Sequence, residues 1–278
     1  MPRPLPPSSA DPFVVAAAHG APIANALLLH GYTGSPFEMM PLALALSDVG
    51  VASTGVVLPG HERGKDGDPA VLNRVSWRDW VRAGEDAFDA MPAATPRVVA
   101  GCSMGALVAL HVASARPVDA LVLLAPALRF FTDGQLVASL AARGLWRALP
   151  YLKKGKGSDV ADDEGRHRNP CLPYLPLHGI AELAALQRAT EPLLSSVVAP
   201  ACIFHGAHDH TIPPVSSEII ASKLASPRVE RHVLRNSFHV IGIDVDRDEL
   251  NALAVSFVRE VVAAAPSSTS ARRIDRAA

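Results

Sequence analysis

The chain of 278 residues has few cysteines, no excess of one charge and no long apolar run. Its three cysteines, Cys102, Cys171 and Cys202, form no CxxC pair, so neither a disulfide framework nor a thiolate zinc site is expected. Such sparse cysteine usage is typical of proteins in a reducing compartment. We therefore predict a cytoplasmic protein.

The charges nearly cancel, because 26 Lys and Arg face 27 Asp and Glu. A net charge of −1 gives no general attraction for nucleic acid or anionic lipid, so no nucleic-acid partner is expected. The most apolar segments, Ala26–Leu29 and Ala120–Ala127, are far shorter than the ~20 residues that span a bilayer. The N-terminal MPRPLPPSSADP lacks the apolar stretch of a secretory signal. We expect no stable membrane insertion.

Apolar residues make up 49% of the chain, which is ample for the core of one large domain. Residues 1–12 and 265–278 lack hydrophobic periodicity and are predicted to be flexible tails. Between them, short apolar runs alternate with helical stretches, a pattern typical of a mainly parallel α/β sheet with helices on both faces. Strands are predicted at Ala24–Leu29, Val51–Val57, Arg97–Gly101, Ala120–Leu124, Ala201–His205 and Glu230–Leu234. Helices are predicted near Pro36–Asp48, Trp77–Met91, Met104–Ala115, Val215–Ala225 and Arg247–Ala264.

One interval, residues 128–194, interrupts this alternation. It holds two apolar helical stretches, Gln135–Leu149 and Ile180–Leu194, separated by a polar segment too long for an ordinary connection. We interpret it as a helical cap over the carboxyl edge of the sheet, where open α/β proteins bind ligands. A decorative or partly disordered insertion is the alternative. The core then consists of residues 13–127 and 195–264.

The strongest local motif is G-x-S-x-G at residues 101–105, between an apolar strand and a helical stretch. A serine on a sharp turn between strand and helix projects its hydroxyl above the sheet, and the flanking glycines relieve the crowding of the backbone. The helix that starts at Met104 adds its positive end where negative charge develops. We therefore predict that Ser103 is a nucleophile.

A serine nucleophile needs a base, and the base needs an orienting acid. His239 follows the last predicted strand and precedes the terminal helix, which places it at the same sheet edge as Ser103. Asp209 ends an earlier strand on that edge, whereas Asp244 and Asp246 lie beyond His239 and could begin the helix. We prefer Asp209, which gives the chain order Ser, Asp, His of the α/β-hydrolases.

Three histidines surround that acid, at positions 205, 208 and 210, and such a cluster invites a metal interpretation. Adjacent side chains at the end of a strand point in different directions, and no second cluster completes a ligand set. We expect no metal at this position.

Stabilising an oxyanion requires at least two hydrogen-bond donors held in fixed orientations. Backbone amides in a glycine-containing loop can supply them. The apolar strand at 27–29 ends in His30-Gly31-Tyr32-Thr33-Gly34, where two glycines allow close approach to a ligand. The amides of Tyr32 and Met104 are therefore the predicted oxyanion donors.

Six blocks of sequence together resemble one family, the bacterial carboxylesterases and monoacylglycerol lipases of the α/β-hydrolase fold. The blocks occur in the family's order from about Asn25 to Arg259, and one departs from the pattern, since the usual PGHG ends here in Glu62. They are LLLHGYTGSP, VVLPGHERG, WRDW, GCSMG, HGAHDHTIPP and SFHVIGIDVDRDEL. The resemblance implies a serine hydrolase of carboxylic esters that uses Ser103, His239 and Asp209, with Tyr32 and Met104 as oxyanion donors.

This activity requires no metal or organic cofactor. The expected partner is a small ester with an aliphatic acyl chain, whose length and alcohol the sequence leaves open. Two alternatives remain: the same triad acting as an acyltransferase, thioesterase or lactonase, or a non-catalytic binding protein on this fold. Eight apolar cap residues could line an acyl pocket, although packing of the cap onto the sheet explains most of them better: Phe130, Phe131, Leu136, Leu140, Leu145, Trp146, Tyr174 and Leu175.

Overall fold

The computed structural model describes residues 3–155 and 157–264. These residues form a seven-stranded sheet in the order β1-β3-β2-β4-β5-β8-β9, with β1 antiparallel to β3 and all other pairs parallel. A separate antiparallel pair is formed by β6 and β7. The strands are β1 Phe13–Val15, β2 Ala24–Leu29, β3 Val51–Val56, β4 Arg97–Cys102, β5 Ala120–Leu124, β6 Tyr151–Lys153, β7 Tyr174–Pro176, β8 Ala201–Gly206 and β9 Val229–Leu234.

Helices cover both faces of the sheet. Successive side chains of a strand point to opposite faces, so Leu27 and Leu29 pack on the face that α4 covers, while Ala26 and Leu28 pack toward α1 and α9. Burial on both faces explains why the strands read as continuous apolar runs. The helices are α1 Met40–Ser47, α2 Pro69–Leu72, α3 Trp77–Asp89, α4 Met104–Ala115, α5 Thr132–Ala142, α6 Asp163–Arg168, α7 Leu177–Leu193, α8 Val215–Lys223 and α9 Arg247–Ala264.

The predicted mainly parallel sheet with flanking helices is confirmed, and each predicted strand matches an observed one to within a residue at either end. The antiparallel edge strand β1 was not predicted, because three residues are too few to show a period. None of the helices in the described part of the chain combines the length and the apolarity of a membrane span.

The N-terminal segment differs from the flexible tail predicted for residues 1–12, since residues 3–12 lie against the domain. Leu5 is 5% exposed and packs against Phe37, Val160 and Ile243. Arg3 forms an ion pair with Asp48 at 2.7 Å. An extended segment held by scattered contacts has no periodicity, which is why the pattern failed to predict it. The other predicted tail, residues 265–278, lies outside the described residues.

Between β5 and β8 the chain forms the helical excursion predicted as a cap. Its two long helices, α5 and α7, begin about three residues before the predicted stretches. The first ends early, because Gly144 adopts a φ of +100° that terminates a helix. The polar segment between the helices was not predicted to be ordered, yet it contains the β6–β7 pair and α6.

Candidate active site

Ser103 lies on the sharp turn between β4 and α4. Its φ of +54° and ψ of −111° are rare for a residue with a side chain, so the fold holds this turn under strain. A Cβ added at Gly105 would lie 2.3 Å from the Leu29 carbonyl oxygen, and one at Gly101 would lie 2.3 Å from that of Gly105. Gly105 is therefore required for the turn to pack against β2, and Gly101 is required for β4 to pack against the first turn of α4.

The structure brings the three predicted triad residues into one hydrogen-bonded chain. His239 Nε2 lies 2.9 Å from Ser103 Oγ, and His239 Nδ1 lies 2.7 Å from Asp209 Oδ2. The three residues are 6% to 7% exposed. They follow β4, β8 and β9, whose carboxyl ends share one edge of the sheet.

The Asp209 carboxylate is held by donors on both oxygens. Oδ1 accepts the amides of Thr211 and Ile212 at 2.8 and 2.7 Å, and the His205 Nε2–H lies 3.2 Å from Oδ2. Burial works to raise the pKa of this carboxyl, but the charge of His239 and the hydrogen bonds with His205 and His239 outweigh it and hold the pKa well below its usual range. Asp209 is therefore ionised beside the imidazole.

The pKa of His239 shifts in the opposite direction to that of Asp209. Burial works to lower the pKa of His239, but the charge and hydrogen bond of Asp209 outweigh it, with smaller contributions from the charges of Asp159 and Glu38. The net effect is a raised pKa, which favours an imidazole that accepts a proton from Ser103 and holds it.

The two other acids near His239 have different partners. Asp244 accepts the amides of Phe238, Ala161 and Asp162 at 2.7 to 2.9 Å. Asp246 accepts the amide of Asn236 at 2.7 Å. Both shape the loop that carries His239, and of the three candidate acids it is Asp209 that contacts the imidazole.

Residues 30–34, which are predicted to supply an oxyanion donor and are named the oxyanion loop, lie beside Ser103. The Gly31 carbonyl accepts the Gly34 amide at 3.1 Å and faces His30 Nδ1 at 2.8 Å. In a trans peptide the N–H points opposite to the C=O, so the Tyr32 amide points away from these partners. Among the described residues, neither the Tyr32 amide nor the Met104 amide has a protein acceptor. Both are available to bind an oxyanion.

Two buried histidines that sequence reasoning missed hold this loop. His30 Nε2 accepts the Leu58 amide at 3.0 Å, so its Nδ1–H donates to the Gly31 carbonyl. His61 Nε2 accepts the Thr33 amide at 3.0 Å, and its Nδ1–H faces the carbonyls of Leu58 and Pro59. Burial lowers the pKa of His30 to about 3 and that of His61 to about 4. Both rings are therefore neutral.

We expect acid to destabilise the fold through these two rings. The unfolded chain binds protons near the ordinary pKa of 6.5, whereas the folded rings do so only near 3 and 4. The stabilisation is thus complete above pH 6.5 and decreases as the pH falls, by at most ~1.4 kcal/mol per pH unit for each ring. Unfolding in urea at stepped pH measures it.

His61→Gln, whose amide oxygen can accept the Thr33 N–H, should flatten this dependence, while the exposed His19→Gln should leave it unchanged. A pH dependence that is as steep in His61→Gln as in the wild type would refute the explanation.

A cavity of about 260 Å³ opens beside Ser103 and His239. Its apolar wall is formed by Phe130, Leu175, Ile180, Leu183 and Ile212, and its polar wall includes Thr33, Glu38, Lys154, Ser158 and Cys171. Phe130 and Leu175 were among the eight cap residues considered for an acyl pocket. Four others are exposed instead: Phe131, Leu136, Leu140 and Leu145.

The histidines around Asp209 do not converge on one point. His205 faces the buried side of Asp209, whereas His210 binds Asp159 at 2.9 Å. Of the described residues, only Cys202, Glu230 and His232 bring their donor atoms close enough to hold an ion, and none of them lines the cavity.

Comparison with known proteins places this geometry in a family. The family model described as Hydrolase_4, serine aminopeptidase S33, matches residues 20–246. The chain belongs to this family. It is 29% identical over 253 residues to the thermostable monoacylglycerol lipase of Bacillus sp. strain H-257, covering 90% of this chain and 94% of that protein. It is 21% identical to a carboxylesterase of Bacillus subtilis strain 168, covering 84% of this chain and 92% of the relative.

Solved structures agree with this membership. One similar chain comes from the work on LipS and LipT, two metagenome-derived lipolytic enzymes. It superposes with a TM-score of 0.77 at 25% identity, and the alignment covers 90% of the present chain and 98% of the other. A monoacylglycerol lipase of Paleococcus ferrophilus superposes with a TM-score of 0.73 at 17% identity, and the alignment covers 91% of the present chain and 99% of that lipase. The predicted α/β-hydrolase fold and the resemblance to carboxylesterases and monoacylglycerol lipases are confirmed.

Proposed function

We propose that this family member is a serine hydrolase that cleaves carboxylic esters through an acyl-enzyme intermediate. The observation that carries the proposal is the continuous hydrogen-bonded chain from Ser103 through His239 to Asp209. Beside it, the amides of Tyr32 and Met104 have no acceptor among the described residues. The family relatives named as lipases and esterases support an ester as the substrate.

Acylation begins when Ser103 Oγ attacks the ester carbonyl and its proton passes to His239 Nε2. The carbonyl oxygen becomes negative and accepts hydrogen bonds from the amides of Tyr32 and Met104. Asp209 keeps the Nδ1–H of His239 directed toward itself and offsets the charge of the imidazolium. When the tetrahedral intermediate collapses, the C–O bond breaks and His239 gives its proton to the leaving alcohol.

Deacylation repeats these steps with water as the nucleophile. His239 takes a proton from water as the water oxygen attacks the acyl carbonyl, and the same two amides bind the new oxyanion. Collapse breaks the bond to Ser103 Oγ, which regains its proton from His239, and the carboxylic acid leaves. The enzyme returns to its starting state.

The substrate's acyl chain fits best along the apolar wall of the cavity. Phe130, Leu175 and Ile180 there offer a surface on which burial of each methylene contributes about 0.8 kcal/mol. We therefore propose an aliphatic acyl group. We also propose a cytoplasmic location, which is supported by Cys102, Cys171 and Cys202 all being free thiols.

The proposal predicts hydrolysis of a p-nitrophenyl ester series from acetate to palmitate, with kcat/KM peaking at one chain length that the cavity sets. A fluorophosphonate should label the protein once, at Ser103, as mass spectrometry of peptides would show. Leucine p-nitroanilide serves as the comparison, because the family model is described by an aminopeptidase.

Faster turnover of the anilide than of every ester would replace the esterase proposal by a peptidase. Labelling of Ser103 without hydrolysis of any ester would favour transfer of the acyl group to another acceptor. Absence of both labelling and hydrolysis in a folded protein would favour the non-catalytic alternative.

A further inference from the structure

The cap is bonded directly to the oxyanion loop. The Tyr32 hydroxyl donates to the Pro176 carbonyl at 2.6 Å, and the Leu172 amide donates to the Thr33 carbonyl at 2.9 Å. Lys154 Nζ donates to Thr33 Oγ1 at 2.6 Å. These three bonds join the loop to the polar part of the cap, which the sequence does not predict to be ordered.

Thr33 stands at the centre of this junction. It is 3% exposed and its φ is +61°, a left-handed conformation that a β-branched residue rarely adopts. Its hydroxyl proton is donated to the Tyr32 carbonyl at 2.6 Å, while its oxygen accepts Lys154 Nζ. A relay therefore runs from the lysine through the threonine hydroxyl to the peptide that follows Tyr32.

Lys154 lies in an unusual place for a charged lysine. It lines the cavity, and burial lowers its pKa, with smaller opposing effects from Cys171 and Glu38. Within the described chain, no carboxylate oxygen lies within 4 Å of its Nζ, so it forms no ion pair there. Desolvating an ammonium without a direct counter-ion is costly. Its one side-chain partner in the described structure is Thr33.

Glu38 completes the arrangement on the other side of the loop. Its Oε2 accepts the Gly31 amide at 3.1 Å, and Asn169 of the cap approaches Oε1 at 3.4 Å. A Cβ at Gly34 would lie 2.3 Å from Oε1, so the loop wraps closely around this carboxyl. The core thus fixes the loop at the amides of Gly31 and Thr33, and the cap fixes it at the hydroxyl and the carbonyl of Thr33.

We propose that Lys154 is a positioning residue: from the cap, through the Thr33 hydroxyl, it fixes the loop that presents the Tyr32 amide to the oxyanion. This inference rests on the proposed ester hydrolysis. It makes the polar part of the cap a component of the oxyanion hole. The β6–β7 end of the cap then stays on the core during turnover.

The test compares Thr33→Val with Thr33→Ser. Valine keeps the shape and the β-branch of threonine but removes the relay, whereas serine keeps the hydroxyl. Lys154→Met and the double variant Thr33→Val/Lys154→Met complete a mutant cycle. The measurements are kcat and KM for the best p-nitrophenyl ester, and Ki for a trifluoromethyl ketone whose hemiketal oxygen occupies the oxyanion hole.

Thr33→Val should lower kcat by about 10- to 100-fold, because a small displacement of an aligned group is enough to do so. KM should change little, and Ki for the ketone should rise by the factor by which kcat/KM falls. Thr33→Ser should stay close to the wild type. Lys154→Met should resemble Thr33→Val, and the double variant should be no worse than the poorer single variant.

Equal losses in Thr33→Val and Thr33→Ser would show that the hydroxyl is not the connection. A raised KM with an unchanged ketone Ki would reduce Lys154 to a substrate contact, and additive losses in the double variant would separate the two residues. If Thr33→Val does not fold, Lys154→Met and Thr33→Ser still decide the matter. Failure of the ester proposal looks different, since the wild type itself would then be inactive.

Discussion

Replacing Ser103 by alanine should abolish ester hydrolysis while leaving the fold intact. The side chain is nearly buried but small, and its hydroxyl contacts His239 alone among the described side chains. Without Oγ there is no acyl-enzyme, and only the oxyanion amides and substrate binding remain. Loss of a triad nucleophile costs about 10⁴- to 10⁶-fold in kcat. Turnover of the best p-nitrophenyl ester by purified Ser103→Ala measures it.

The matched control is Ser158→Ala, which removes a hydroxyl from the same cavity without touching the triad. Its kcat should remain near that of the wild type, and both variants should unfold at the wild-type temperature. If Ser103→Ala kept more than a tenth of the wild-type activity, the nucleophile would be a residue other than Ser103.

Asp209→Asn should reduce kcat by about 10³- to 10⁴-fold, as expected for loss of the orienting carboxylate. Oδ1 accepts the Thr211 and Ile212 amides, so the asparagine oxygen keeps that side and its NH₂ turns toward His239 Nδ1. An N–H there forces the proton of a neutral imidazole onto Nε2. In that tautomer the ring cannot accept the proton of Ser103, so the remaining activity comes from the minor tautomer whose Nε2 is free.

The remaining activity of Asp209→Asn should show a displaced pH profile. In the wild type, His239 must be neutral to act, and the Asp209 charge raises its pKa. Removal of that charge lowers the pKa, so the acid limb of kcat/KM should move to lower pH.

Asp159→Asn is the control, because this acid adds charge near His239 but binds His210 and Thr211 rather than the imidazole. It should lower kcat far less than Asp209→Asn. Equal losses in the two variants would mean that charge alone, rather than the contact at Nδ1, supports the histidine.

The turn that carries Ser103 could be predicted because it follows from local signals. Ser103 is marked by its glycines and by the strand and helix on either side, all within a short segment. His239 and Asp209 were found from topology, since residues after parallel strands meet at one edge of the sheet. The geometry agrees with those predictions, and it explains why Asp244 and Asp246 were the weaker candidates.

Features that depend on distant partners could not be predicted. Lys154 looks like one of several lysines in a polar stretch, and only the folded cap reveals its bond to Thr33, 121 positions away. Leu5 is likewise a lone apolar residue among prolines. His30 and His61 stand in the blocks that carry the family resemblance, but their neutral state follows from burial, which sequence does not display.

The spacing of the triad along the chain has a consequence for biosynthesis. The strained turn at Ser103 precedes five of the nine strands of the described chain, whereas its predicted base follows β9, the last of those strands and an edge of the sheet. A ribosome-bound chain that ends before β9 holds the serine and the acid but has no group to receive the proton. Ser103 can therefore meet its predicted proton acceptor only after β9 has been translated and has paired with β8.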